Sequence, residues 1–209
     1  MLGGGLNLGW FRSLAAADLA HLEDAEAFAR LDAEAAEVPP GADSLVFAPH
    51  LSGRVTPNDP HQRGLWHGLT RSHGRGHLYR SLLEGIAFEY GVYLRATRRL
   101  HPQLAAVEVR AVGGGARSTL WGQIKADVLH AAYRPLVRQE GGALGCALLA
   151  GQAVGMLDAA DAAERFNELA PGVMPERDAS ARYAPLVDTY GDVLDATAAL
   201  TRARGSSTA

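Results

Sequence analysis

The sequence is poor in lysine and in cysteine, and both shortages exclude kinds of site. Lys125 is the single lysine among 20 basic residues, and it does not follow a glycine-rich turn. A Walker-type phosphate loop, GxxxxGK[ST], is therefore excluded, because the lysine that reaches the phosphates is missing. Cys146 is the single cysteine, so a disulfide framework and a cysteine-based zinc site are excluded as well.

Long apolar runs and strong charge are also missing. No apolar run approaches the roughly 18 residues of a membrane-spanning helix, and the first residues, MLGGGLNLGW, lack the charged segment that opens a signal peptide. The formal net charge of −3 provides no basic surface for nucleic acid. We therefore expect a cytoplasmic globular protein whose partners include neither a membrane nor a nucleic acid.

Length and pattern predict one α/β domain. The 209 residues, 47% of them hydrophobic, suffice for a full-sized core, which we place over 1–204, with 205–209 as a disordered tail. The strand patterns lie at 44–49, 64–70, 107–112 and 133–137. The longest helical patterns cover 76–100, 141–157 and 183–202. The order strand, strand, helix, strand, helix, strand, helix predicts a mixed sheet flanked by helices.

The most informative stretch is a strand followed by three glycines and a helix. Alternating and β-branched residues predict a strand that ends at Val112, Gly113, Gly114 and Gly115 form a turn, and a helical pattern opens near Ser118. Such a turn brings backbone N–H groups and the positive end of a helix to one point, where a phosphate can be held. From the residues alone, a nucleotide contact and a tight turn without a ligand are equally supported.

The same stretch comes close to a dinucleotide-binding fingerprint. Gly113-x-Gly115-x-x-Ser118 differs from G-x-G-x-x-G only at its last position. Glu140 stands just after the second strand, where a ribose-binding acid belongs. However, Ser118 replaces the third glycine, and over one hundred residues precede a fingerprint that usually opens its domain. An NAD-binding Rossmann oxidoreductase domain is therefore the less favoured alternative.

Other reactive side chains are better explained by structure than by chemistry. His73 and His77 have the spacing of a helical pair but no third metal ligand near them, which favours capping or solvent exposure. Asp59 stands in an Asn-Asp-Pro turn. Cys146 stands in the small apolar run 141–157, which predicts a helix buried against a sheet with the thiol in the core.

Several separate segments resemble one family, in the family's order. PHLSGRVTPNDPHQRGLWHGLT (49–70) is similar to the LSG-x-x-TP…DP-x-x-RG-x-x-x-GLT segment of the FGGY carbohydrate kinases, and HLYRSLLEGIAFEY (77–90) is similar to their next helix. GGGARSTLWGQIKADVL (113–129) resembles their GGGA[KR]S-x-LW-x-Q-x-x-AD nucleotide segment, and 140–150 resembles the segment after it. The chain is identified as the C-terminal half of a member of this family, and it is most similar to a xylulokinase.

The resemblance implies an actin-like ATPase (ribonuclease H-like) fold and a nucleotide site. ATP lies between two halves in this family, and the C-terminal domain holds the adenosine and part of the phosphate chain. By position, Gly114 matches the glycine against the nucleotide, and Ser118 matches a polar contact that is asparagine in glycerol kinases. Gly5 matches the glycine of a turn beside the nucleotide. With Gly113 and Gly115, these residues form the predicted ATP-binding set.

The resemblance also implies what the chain lacks. The family's catalytic aspartate, first phosphate loop and magnesium-linked carboxylates lie upstream of its C-terminal domain, so we expect no catalytic residue and no metal ligand here. Mg²⁺ would be bound mainly by a missing N-terminal kinase domain. Segment 52–57 reads SGRVTP where many xylulokinases read SGERTP, which weakens an assignment to xylulose.

The resulting hypothesis is an ATP-dependent sugar kinase of which this chain supplies one side. Its expected partners are ATP, a small sugar or polyol and the missing N-terminal domain, with a homo-oligomer left open. Phosphoryl transfer depends on positioning and charge neutralisation, so we expect the isolated chain to be inactive. The alternative of another class is a non-catalytic nucleotide-binding or interaction module left by truncation.

Overall fold

The computed structural model describes residues 4–103, 108–138 and 140–205, the last four by backbone alone. The helices in these ranges are α1 (Gly4–Ala15), α2 (Asp24–Ala36), α3 (Arg75–Leu100), α4 (Thr119–Leu129), α5 (Gly141–Ala153), α6 (Ala159–Phe166) and α7 (Arg177–Gly205). The strands are β1 (Val46–Ala48), β2 (Leu65–His67), β3 (Glu108–Ala111) and β4 (Ala132–Pro135). The predicted order strand, strand, helix, strand, helix, strand, helix is confirmed by β1, β2, α3, β3, α4, β4 and α5. Val107 and the tail residues 206–209 lie outside the described residues.

The described strands form two small sheets of opposite sense. β1 and β2 are antiparallel, with Phe47 opposite Trp66. β3 and β4 are parallel, with Val109 opposite Tyr133, and α4 is the crossover between them. Isolated antiparallel bridges join Tyr133 to Val173 and Leu136 to Leu169, both beyond α6. Both strand senses of the predicted mixed sheet are therefore present, divided between two pairs.

Helix α3 is the centre of the core, because its side chains are buried against elements on several sides. Leu82, Leu83 and Ile86 are fully buried in one cluster with residues of α1, α2, α4, α7 and β1. The i, i+4 spacing of apolar residues from Leu78 to Tyr90 predicts an apolar stripe on this helix. The stripe is confirmed at Leu82 and Ile86, whereas Tyr90 at its far end is 42% exposed. Although α3 and α7 are long, no helix in the described ranges combines the length and apolar character that a bilayer crossing needs.

The i, i+4 spacing of Arg80 and Glu84 in the sequence predicts an exposed ion pair on α3, but both residues are buried. Arg80 Nε lies 2.7 Å from Glu84 Oε1, and the same oxygen accepts hydrogen bonds from the Tyr183 hydroxyl and from the Gly41 backbone N–H. Burial raises the pKa of Glu84, while the Arg80 charge and these hydrogen bonds oppose the rise. The i, i+4 spacing identified the pair, but the tertiary partners that allow its burial come from distant parts of the chain.

The prediction of a buried helix at 141–157 is wrong for this chain. α5 ends at Ala153 and, of its described side chains, only Leu148 is buried. Leu149 is 68% exposed, and the Cys146 thiol, predicted to lie in the core, is exposed. Small apolar residues allow close packing, but they do not determine which element covers the helix. Within the described residues α5 lies mainly against α6.

Candidate functional site

The five predicted nucleotide-contact residues line one cleft. Gly5 lies in the first described turn of α1, and Gly113, Gly114, Gly115 and Ser118 lie between β3 and α4, yet all five border the same cleft of about 950 Å³. Side chains of α2 and α3 form further walls. This volume falls within the range of small-molecule sites, roughly 300–1,000 Å³. The structure thus brings together residues that are more than one hundred positions apart in sequence.

The three positions of the turn are occupied by glycine for different reasons. Gly113 has φ +89°, which disfavours other residues. A Cβ on Gly115 would lie 2.5 Å from the Trp121 ring, so this glycine is required by packing. A Cβ on Gly114 would meet no atom within 4 Å. Nothing in the protein itself requires a glycine at 114, whose missing side chain leaves the cleft open.

Gly5, which lines the same cleft from α1, has the same property. A Cβ there would also meet nothing within 4 Å, although Gly5 lies in a helix, where glycine is less stable than alanine by about 1 kcal/mol. Gly9, one helical turn further on, is equally unobstructed but does not line the cleft. Gly5 and Gly114 are therefore the two predicted contacts at which the fold gains nothing from glycine.

Ser118 is the N-cap of α4. Its Oγ accepts a hydrogen bond from the Trp121 backbone N–H at 3.0 Å, which satisfies one of the free N–H groups at the helix start. Its hydroxyl also lies near the Asp32 carboxylate of α2, whose pKa it helps to lower. Ser118 of the α4 start and Asp32 of α2 therefore meet in the cleft, a proximity that the sequence pattern did not reveal.

Asp32 is a site residue that sequence reasoning missed. Burial raises its pKa, while hydrogen bonds from Ser118 and Tyr79 counteract the rise. Tyr79 is itself buried at 1% exposure, and its pKa is raised by burial and by the neighbouring Asp32 charge. The alanine- and acid-rich pattern of 18–37 predicts amphipathic helices with a solvated acidic face, but Asp32 of α2 lines the cleft. Its neighbours in sequence are apolar, Leu31 and Phe28 among them, and this was the only available signal.

Lys125 was also missed as a site residue. It lies on α4 and lines the cleft, 7% exposed, with Nζ 3.5 Å from the centroid of the Trp121 ring. Burial lowers the pKa of this amine to about 7. Because Ser118, Trp121 and Lys125 are spaced by three and four positions, all three lie on one face of α4.

The remaining candidates have structural roles. His77 Nδ1 accepts from the Gly74 backbone N–H at the start of α3, so the capping interpretation is confirmed for this residue. Asp59 Oδ1 accepts from two backbone N–H groups of its own turn, those of residues 61 and 62. Glu140, the acid required by the dinucleotide alternative, does not border the cleft. Across the described ranges, no group of three potential metal ligands is close enough to hold an ion.

A comparison with known proteins places these observations in one family. The sequence model of the FGGY family of carbohydrate kinases, C-terminal domain, matches residues 2–154. A xylulose kinase of Bacillus subtilis is 29% identical over 194 residues, which cover 92% of this chain and 37% of that protein. A gluconokinase of the same organism is 32% identical over 158 residues, which cover 75% of this chain and 30% of that protein.

The fold agrees with a solved kinase structure. The ligand-bound xylulose kinase from Lactobacillus acidophilus superimposes with a TM-score of 0.76 at 28% identity, covering 93% of this chain and 38% of that one. The predicted α/β fold of the actin-like ATPase kind is thereby confirmed. The chain spans only 30% to 38% of the length of these relatives. It belongs to the FGGY family of carbohydrate kinases, whose C-terminal domain it carries.

Proposed function

We propose that the chain forms the nucleotide side of the cleft in an ATP-dependent sugar kinase, which transfers the γ-phosphate of ATP to a hydroxyl of a small sugar such as xylulose. Gly5, Gly113, Gly114, Gly115 and Ser118 contact the nucleotide in this proposal. Xylulose and gluconate appear in the names of the relatives, so the acceptor is a small sugar or polyol, with xylulose the first candidate. Such an enzyme acts in the cytoplasm.

The observation that carries the proposal is the pair of unexplained glycines. Gly114 and Gly5 approach one cleft from two elements, and neither is required by backbone conformation or by packing. A missing side chain lets a ligand approach the backbone closely, and the Gly113–Ser118 turn presents N–H groups at the start of α4. A bare turn would need only Gly113 and Gly115.

The residues fit ATP better than they fit its metal. The cleft has the volume and the glycine-lined backbone that a nucleotide needs, whereas the described residues hold no cluster of carboxylates for Mg²⁺. In our proposal Mg²⁺ and the catalytic aspartate belong to the N-terminal kinase domain, the partner that completes the cleft. The isolated chain then binds ATP but does not transfer phosphate, because positioning and charge neutralisation need both walls.

Isothermal titration calorimetry with ATP tests the proposal. The wild-type chain should bind ATP, and Gly114→Val should weaken binding at least about tenfold, or about 1.4 kcal/mol, because the new side chain enters the ligand space. Gly142→Val is the matched control: this glycine of α5 is also unobstructed but lies outside the cleft. Circular dichroism should show both variants folded.

Three results would contradict the proposal. The first is the absence of ATP binding to the wild-type chain. The second is equal ATP affinity of the wild-type and Gly114→Val chains. The third is tight binding of NAD without binding of ATP, which would favour the oxidoreductase alternative. Binding of ATP by a chain that never forms an active complex with an N-terminal kinase domain would support the non-catalytic module instead.

A further inference from the structure

The cleft is lined by a buried amine, that of Lys125, which has no ionic partner among the described residues. Lys125 Nζ lies 3.5 Å from the Trp121 ring centroid, 5.1 Å from the Tyr133 ring centroid and 3.3 Å from the Tyr133 hydroxyl oxygen. No carboxylate forms an ion pair with it in the described part of the chain. The surrounding wall is apolar and aromatic, with Leu129 and Tyr90 among the lining residues.

This environment makes the amine a nucleophile at neutral pH. Burial alone lowers the Lys125 pKa to about 7, so about half of the molecules carry a free lone pair there. The tyrosines beside it stay protonated, since burial raises the pKa of Tyr90 and raises that of Tyr133 to about 12. The charged residues that also line the cleft are Asp24, Asp32, Arg110 and Arg117. None of them contributes to the shift of Lys125.

We propose that Lys125 is a covalent site for small aldehydes, which enter the cleft and form an imine with its Nζ. The inference depends on the geometry of the amine and not on the proposed kinase activity. It also uses the one lysine that the sequence contains, so the modified position is unambiguous among side-chain amines.

The reaction balances without any other reagent. The Nζ lone pair attacks the carbonyl carbon, the C=O π pair moves to oxygen, and a proton from nitrogen passes to that oxygen to give a carbinolamine. The hydroxyl then leaves as water with the second Nζ proton, and a C=N bond forms. Tyr133, at hydrogen-bond distance from Nζ and protonated, is placed to give a proton to the departing hydroxyl and to regain one from nitrogen.

Reductive labelling of the 209-residue chain tests the proposal. Propionaldehyde is added with cyanoborohydride, which delivers hydride to the imine carbon and fixes the adduct as a propyl group. Peptide mapping by mass spectrometry then separates Lys125 from the N-terminal amine. We expect Lys125 to be labelled with a rate that rises with pH to a midpoint near 7.

Unfolding should slow the labelling, which is the opposite of what simple exposure would do. In guanidinium chloride the Lys125 pKa returns to about 10.4, so at pH 7 roughly one amine in two thousand five hundred is neutral. A less basic amine is intrinsically less nucleophilic, as is known for thiols. After this reduction we still expect labelling at pH 7 to be at least about tenfold faster in the folded chain.

Several results of these labelling experiments would overturn the proposal. Faster labelling of Lys125 in the unfolded chain, a midpoint above pH 9, or no label on folded Lys125 would overturn the proposal. Lys125→Met removes the amine while keeping a long unbranched side chain. The Lys125→Met chain should lose the propyl label assigned to Lys125 and keep the label on the N-terminal amine. If the folded variant still carried two propyl labels, the proposal would also be overturned.

Discussion

Replacing Lys125 by methionine should stabilise the chain near neutral pH, and the gain should shrink as pH rises. The amine is 7% exposed, and its pKa falls to about 7 in the folded chain from 10.5. Between these values the unfolded state binds more protons than the folded state, so the stability of the wild-type chain rises with pH. Methionine fills a similar volume and carries no charge.

The two pKa values set the size of the effect. The protonated amine destabilises the folded state by about 5 kcal/mol at pH 6 and by about 2 kcal/mol at pH 9. The difference between the variant and the wild type should therefore fall by about 3 kcal/mol over this range. The hydrogen bond to the Tyr133 hydroxyl is lost at every pH, and this subtracts a constant of about 1 kcal/mol.

Urea unfolding followed by circular dichroism at pH 6, 7, 8 and 9 measures the difference directly. Groups common to both chains, including the other buried residues, cancel when the two free energies of unfolding are subtracted. Arg30→Met is the control, because its side chain is 56% exposed in a surface pair with Glu26 and should change stability by less than about 1 kcal/mol. A Lys125→Met difference that does not vary with pH would show that the Lys125 pKa is not lowered in the folded chain.

Three further results are expected. Gly5→Ala and the control Gly9→Ala should each raise the free energy of unfolding by up to about 1 kcal/mol, whereas only Gly5→Ala should weaken ATP binding in calorimetry; equal affinities would contradict the cleft assignment. Burial alone would raise the pKa of Glu89, but hydrogen bonds such as that from His50, together with the charge of Arg54, lower this pKa to about 2. As pH falls from 5 to 2, the free energy of unfolding of the wild type should therefore decrease by about 3 kcal/mol more than that of Glu89→Gln, as measured by urea unfolding. Equal pH dependence of the two free energies would contradict this prediction. The isolated chain, assayed with ATP and xylulose, should show no turnover; a rate of roughly 1 s⁻¹ or more would contradict its proposed inactivity.

Local pattern was sufficient for the elements around the cleft. The β-branched run before Val112, the three glycines and the helical spacing after Ser118 predicted a strand, a turn and a helix, and β3 and α4 lie there. The long helical pattern at 76–100 became α3, which begins one residue earlier. These features depend on neighbours in sequence, so one sequence carries them.

Tertiary context was beyond the sequence. Asp32 reads as one more acid on a surface helix, and only the position of α2 brings it to Ser118. Lys125 reads as an ordinary basic residue in an amphipathic helix, and its low pKa arises because side chains from other elements remove water from it. The misjudged exposure of α5 has the same origin, since composition shows that a helix can be packed and not whether another element packs on it.

The most direct test of the nucleotide cleft is the change in backbone amide signals of the ¹⁵N-labelled chain when ATP is added. We expect the largest shifts at Gly5 and at residues 113–118, followed by those at Lys125 and Asp32. Shifts confined to another surface, or an unchanged spectrum at millimolar ATP, would contradict this expectation.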